Sequence, residues 1–262
     1  MTIKLIESTK NPTIKNIIKL RKSSERKKQK LVIVEGIREI SIALMSGLEI
    51  DSLFLAKNKE LELKEIKENK ITLLEDKVFS NISQRQNPDG HLALFKEPIS
   101  KISKFKVPEN PLILILEAIE KPGNLGAIMR TVDAAGVDAV IINDPALDIY
   151  SANAVRSSQG TIFTTPLFLA NIKETSDFCK KHKIQMLATT PDAANEYLDE
   201  DMTHPTALIF GTEATGLSKK WLEIANKTVK IYMNGKIDSL NLSVSAGVVV
   251  FEAKRQRGLI PN

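Results

Sequence analysis

The chain has 262 residues, 42% of them apolar, which suffices for one large α/β core or two smaller ones. Its first residues, MTIKLIESTK, lack an apolar signal core, and no stretch approaches the ~20 apolar residues of a membrane helix, so a cytoplasmic protein is expected. The net charge is +5, with Cys179 the sole cysteine and His91, His182 and His204 standing singly, so neither an intrachain disulfide nor a metal site is expected.

Residues 1–30 hold ten basic residues against Glu7 and Glu25, a local charge of +8. We read them as a basic N-terminal arm or helix, either attracting a polyphosphate backbone or forming a solvated face. From 31 to 97, LVIVEG, DSLFLA, ITLL and HLALF read as short strands. Between them GIREISIALMSG, KELELKEIKEN and EDKVFSNISQ have helical spacing, giving a small α/β unit. The stretch KEPISKISKFKVPENP is rich in proline and lysine without periodicity, which places a linker at 98–110.

A second unit spans 111–262. LILILEA, AVIIND, IQMLATT and TALIFG are continuous apolar runs, as in parallel strands buried on both faces. GAIMRTVDAAG, ANAVRSSQG, NIKETSDFCKKHK and SKKWLEIANK are helical patterns between and after them. LNLSVSAGVVVFEAKRQRG is β-branched enough to pass for a strand, but its length and its basic end at Lys254, Arg255 and Arg257 favour a buried helix. The fold class expected is α/β with a C-terminal parallel sheet.

ALIFGTEATGLS (207–218) carries Gly211 and Gly216 after a buried strand, with the spacing of a phosphate-binding loop but one residue that does not match. Leu217 stands where that loop needs lysine, Glu213 adds a negative charge, and the chain holds no G-x-G pair, so a nucleoside triphosphate is not expected. A ligand without crowded phosphates suits a glycine at the carboxyl edge of the sheet.

Three ordered segments, NLGAIMRT, IFGTEATGLS and DSLNLSVSAG, resemble the motifs of the SpoU, or TrmH, family of RNA ribose 2′-O-methyltransferases within the SPOUT superfamily. Residues 31–96 look, more loosely, like the accessory RNA-binding domain of such enzymes. The resemblance implies a C-terminal trefoil knot, a homodimer packed through the knotted domain, and S-adenosylmethionine bound at Gly211, Ile231, Leu240 and Thr189. It implies that Asn124, Arg130, Glu213, Ser239 and Asn241 shape the active site. Ala214 and Leu242 depart mildly from the family pattern without removing a chemical group.

Methyl transfer to a ribose oxygen is an in-line displacement, with the reacting atoms held about 3 to 3.5 Å apart. No histidine lies in the motifs, and the resemblance makes Arg130 the base. Deprotonating an arginine at neutral pH costs on the order of 7–9 kcal/mol, so Arg130 alternatively orients the RNA phosphate and stabilises the developing alkoxide. Asn124 and Asn241 would then hydrogen-bond Arg130 and the ribose, with Ser239 closing the network. Arg156 reads as a phosphate contact or a solvated charge, and Trp221 as a core or dimer residue. Ribosomal RNA is the expected substrate; transfer RNA, or catalytically silent RNA binding on the same scaffold, are the alternatives.

Overall fold

A computed structural model describes residues 3–60, 62–63, 65–98 and 101–258. The chain divides into two compact units, 1–98 with 148–164, and 99–147 with 165–262. In chain order the first unit opens with β1 (Lys4–Ile6), α1 (Pro12–Lys19), α2 (Ser23–Gln29), β2 (Leu31–Glu35), α3 (Ile37–Met45), β3 (Ile50–Ala56), β4 (Ile71–Leu74), α4 (Asp76–Ile82) and β5 (His91–Lys96). The second unit then supplies β6 (Leu112–Glu117), α5 (Pro122–Ala135) and β7 (Ala139–Asn143). The first takes α6 (Ala152–Ser157), and the second ends with β8 (Leu167–Leu169), α7 (Ile172–Lys181), β9 (Gln185–Thr189), β10 (Asn195–Glu196), β11 (Thr206–Phe210), α8 (Lys219–Ile224), β12 (Lys227–Lys230) and α9 (Leu242–Gln256).

In the first unit the sheet order is β1-β4-β3-β5-β2, with β5 antiparallel to both neighbours and the remaining pairs parallel. The basic N-terminal segment is no separate arm. Asn11 caps α1 by accepting from the Thr13 amide at 2.9 Å, and Pro12 occupies the first helical turn. Ile14, Ile17 and Leu20, at helical spacing, bury that helix against Phe54, Leu74, Phe79 and Ile82, leaving Lys15 and Lys19 outside. The KELELKEIKEN pattern does not form an α-helix among its described residues, which make turns and a 3-10 turn at Glu68–Lys70; Leu61 and Lys64 lie outside those described. Its two described apolar anchors, Leu63 and Ile66, are too few to stabilise so short a helix. ANAVRSSQG, expected in the second unit, belongs to the first.

The second unit's seven strands, among the described residues, are all parallel in the order β10-β12-β9-β11-β6-β7-β8. Every residue of β6, β7 and β11 is buried, as continuous apolar runs require. The strands absent from the sequence reading, β1 in the first unit and β8, β10 and β12 here, are two to four residues long and too short to carry a period. The VVV-containing segment is helical in α9, with Ala246, Val249, Val250 and Ala253 buried. The expected linker is not free chain in its described part, because Ile102, Phe105 and Val107 pack on the second core and the Phe105 ring lies 5.4 Å from that of Phe168. Ile99, Ser100 and the last four residues of the expected second domain lie outside the described residues. Trp221 is fully buried in this core. Burial pushes the Cys179 thiol up to about 12, far from a reactive thiolate. No helix among the described residues is long and apolar enough to cross a membrane.

Candidate active site

The carboxyl ends of β9, β11 and β12 in the second unit open into loops at 189–192, 211–217 and 231–240, which line a cleft of about 520 Å³. That volume falls in the range of small-molecule sites, at the edge of the sheet where parallel α/β domains bind ligands. The 211–217 loop folds back on itself, the Thr212 and Gly216 amides each donating to the other's carbonyl at 3.0 and 3.1 Å. A Cβ at Gly211 would lie 2.2 Å from the Gly216 carbonyl, so loop closure itself demands glycine there. Leu217 turns into the core, so the position of a phosphate-binding lysine is a packing position here. Glu117, at the end of β6, accepts from the Ser218 amide at 2.8 Å and ties the loop's far end to the sheet.

Glu213 is the hub that joins the three motifs. Its Oε1 accepts from Asn124 Nδ2 at 2.7 Å and from Asn241 Nδ2 at 2.6 Å, and its Oε2 pairs with the Lys121 ammonium. Asn241 Nδ2 also donates to Asn124 Oδ1 at 3.3 Å, while Asn241 Oδ1 caps α9 by accepting from the Ser243 amide at 3.0 Å and its hydroxyl at 2.6 Å. The Lys121 ammonium first, then the Asn124 amide, hold the Glu213 carboxyl below the usual carboxylate range, and the same contact raises Lys121.

Of the expected site residues, the structure brings Asn124, Glu213 and Asn241 together and lines the cleft with Thr189, Gly211, Ile231, Ser239 and Leu240. Arg130 is not in the cluster. It lies exposed on α5 with no hydrogen bond or ion pair to the described residues, so the expected Asn124–Arg130–Asn241 network is replaced by one centred on Glu213. Ser239 makes no side-chain hydrogen bond among the described residues and so does not close it. Sequence reading missed Lys121 and Glu117; the one signal for Glu117 is a charge ending the unbroken apolar run LILILE, and for Lys121 there is none.

The lining fits S-adenosylmethionine. Among the described residues it includes Asp192, Glu213 and Asp238 but no lysine, arginine or histidine, which suits a sulfonium cation and disfavours a phosphate. Among the described residues the buried Thr189 hydroxyl has no hydrogen-bond partner, an orphan that a polar ligand would satisfy. No group of three potential metal-ligating side chains occurs among the described residues.

A cleft at the carboxyl edge of a parallel sheet, lined by carboxylates and flanked by a carboxamide–carboxylate cluster, defines an α/β domain built around a cationic small molecule. Residues 111–251 match the SpoU rRNA methylase family, to which the chain belongs, and residues 11–93 match an MRM3-like substrate binding domain. The chain is 30% identical over 259 residues to an uncharacterised tRNA/rRNA methyltransferase of Synechocystis sp., covering 96% of this chain and 94% of that one. It is 27% identical over 252 residues to the 23S rRNA (guanosine(2553)-2′-O)-methyltransferase of Bacillus subtilis, covering 96% and 100% respectively. The crystal structure of an AdoMet-bound rRNA methyltransferase from Sinorhizobium meliloti superposes with a TM-score of 0.91 at 28% identity, covering 98% of this chain and 99% of that one.

Proposed function

We propose that the protein transfers a methyl group from S-adenosylmethionine to a ribose 2′-hydroxyl of structured RNA, and that the RNA is ribosomal. The observation that carries this reading is the acidic, lysine-free cleft beside the Asn124–Glu213–Asn241 cluster. When bound, S-adenosylmethionine supplies the electrophilic methyl group. Thr189 offers its free hydroxyl to that ligand, and the loops at Gly211, Ile231 and Leu240 present backbone to it. Glu213, kept ionised by Lys121, fixes the Asn124 and Asn241 amides and with them the entrances of α5 and α9. Arg130, unpaired and exposed, clamps an RNA phosphate and stabilises charge developing on the attacking oxygen, a task that uses its permanent charge. Ser239 has a free hydroxyl for the ribose.

Ribosomal RNA is supported by the 23S rRNA relatives, by the substrate-binding match at 11–93 and by the +8 charge of residues 1–30. A trefoil knot within 111–262 belongs to the same reading, supported by family membership and by the late strand β11 lying between β6 and β9. A homodimer through that domain is supported by Val244 and Phe251, half-exposed at 50% and 53% and seven residues apart on one stripe of α9. We place the reaction in the cytoplasm.

Calorimetry with S-adenosylmethionine, followed by mapping of ribose methylation in RNA from cells with and without the gene, tests the proposal. Cofactor binding and one lost ribosomal methyl group are expected. A protein that binds RNA but no cofactor is a silent binder, and a lost methyl group confined to transfer RNA overturns the substrate.

A further inference from the structure

We infer that an arginine-lined hollow on the first unit grips the phosphodiester backbone of the RNA substrate and presents two amides to its nucleotides; this rests on the RNA-methyltransferase reading above. Three segments remote in sequence converge there: Arg21 from the turn after α1, Arg85 from the loop after α4, and Arg156 from α6. Two adjoining hollows, the larger about 180 Å³, share Gln84 and Asn153 as lining, with Arg21 at one and Arg85 and Arg156 at the other. The 11–93 match omits α6, so the hollow extends the substrate-binding surface beyond it.

The charges around the hollow are not equivalent. Arg85 pairs with Glu39 at 2.8 Å, and the buried Arg26 beneath pairs with Asp148, so both are neutralised within the unit. Among the described residues Arg21 donates only to the Asn81 and Ser83 carbonyls, and Arg156 only to Asn153 Oδ1 at 3.3 Å. These two exposed guanidiniums keep an uncompensated positive charge, and each has donors left for a phosphate. The one carboxylate in the hollow, Glu35, already accepts from the Gln84 amide N–H at 3.0 Å and the Ser83 hydroxyl. The Gln84 side-chain amide has no partner among the described residues. Free guanidiniums beside an unpartnered amide match the chemistry of RNA recognition, with backbone contacts for affinity and amides for base edges.

The test uses the full chain, with ribosomal RNA from cells lacking the gene as the probe. Arg21→Gln and Arg156→Gln are each expected to raise the RNA KM roughly tenfold, and to lessen the slope of log affinity against log salt by roughly 0.7–0.9 per residue. Arg156→Lys should recover most of the loss. The kcat at saturating RNA and the calorimetric cofactor affinity should stay at wild-type values, as they should in Lys173→Gln, a control on α7. Gln84→Ala should weaken RNA binding with the salt slope unchanged. A wild-type RNA KM and salt slope in the Arg21→Gln/Arg156→Gln double variant overturns the inference, as does a matching fall in cofactor affinity. Absence of S-adenosylmethionine binding by the unmodified protein strikes the methyltransferase reading instead, and leaves the salt slopes to decide the hollow.

Discussion

The buried charges of the first unit and the cleft groups of the second are treated in opposite ways. In the first, the buried Arg26 pairs with Asp148 and the buried Glu39 with Arg85, while His91 lies 3.6 Å from an Asp89 carboxylate, its ring nitrogens making no hydrogen bond among the described residues. In the second, polar groups of the cleft are left partly unused: among the described residues Ser239 makes no side-chain hydrogen bond and the buried Thr189 hydroxyl has no partner, and Arg130, exposed on α5, has none either. Paired groups explain themselves as structure. An orphaned hydroxyl buried in a cleft, such as that of Thr189, needs a ligand to explain it, because a buried polar atom without a partner costs about 1–3 kcal/mol.

Substitutions on the two sides of this contrast should therefore separate stability from turnover. Arg130→Ala is expected to lower kcat by roughly 10²–10³, with cofactor affinity and the urea unfolding midpoint unchanged; surviving turnover would remove Arg130 from both proposed roles. Asp148→Ala strands the Arg26 guanidinium, which is 9% exposed, and should cost about 3 kcal/mol in urea unfolding. The calorimetric cofactor affinity should not move, and a fall there would break the contrast.

Gly211→Ala puts a methyl group against the Gly216 carbonyl and should cost about 1–3 kcal/mol as the loop opens. Because that loop lines the cleft, cofactor affinity should fall with it by roughly tenfold, whereas an intact affinity would detach the loop from the ligand.

The smallest effect concerns the Asp89–His91 pair. Burial pushes the Asp89 carboxyl up, but His91 and the Ile37 and His91 amides outweigh it and hold the group at about 2. Asp89 in turn raises His91 above its ordinary 6.5, against the opposing effect of burial. The Asp89 contribution is complete above about pH 4 and lost as pH falls toward 2; that of His91 is complete below 6.5 and lost as pH rises through its raised value. Urea midpoints should plateau between those limits and decline on both sides by about 1 kcal/mol, screened because Asp89 is 34% exposed. Asp89→Asn should flatten both limbs, and an unchanged profile in that variant would leave the pair without a role in stability.

Local pattern was sufficient wherever one element's environment repeats along the chain. LILILEA and TALIFG announced buried parallel strands, since only a strand covered on both faces is apolar at every position. The length and basic end of α9 outweighed its valines. The three motif segments were legible, as was the absence of a phosphate-binding lysine. By contrast, the helix expected over 59–69 failed because spacing alone does not say whether a core lies opposite.

The residues alone were thus enough for the fold class, for a glycine loop at Gly211–Ser218 after a buried strand and for some of the polar residues near it, Lys121 and Glu117 excepted. What those residues do to one another follows from the folded chain. Glu213 meets Asn124 and Asn241 across separations of 89 and 28 residues, and Arg156 leaves the half of the chain it was assigned to for the first unit. Periodicity reports what each short segment must bury, whereas partnerships at such separations depend on strand order and loop closure, which no local pattern contains.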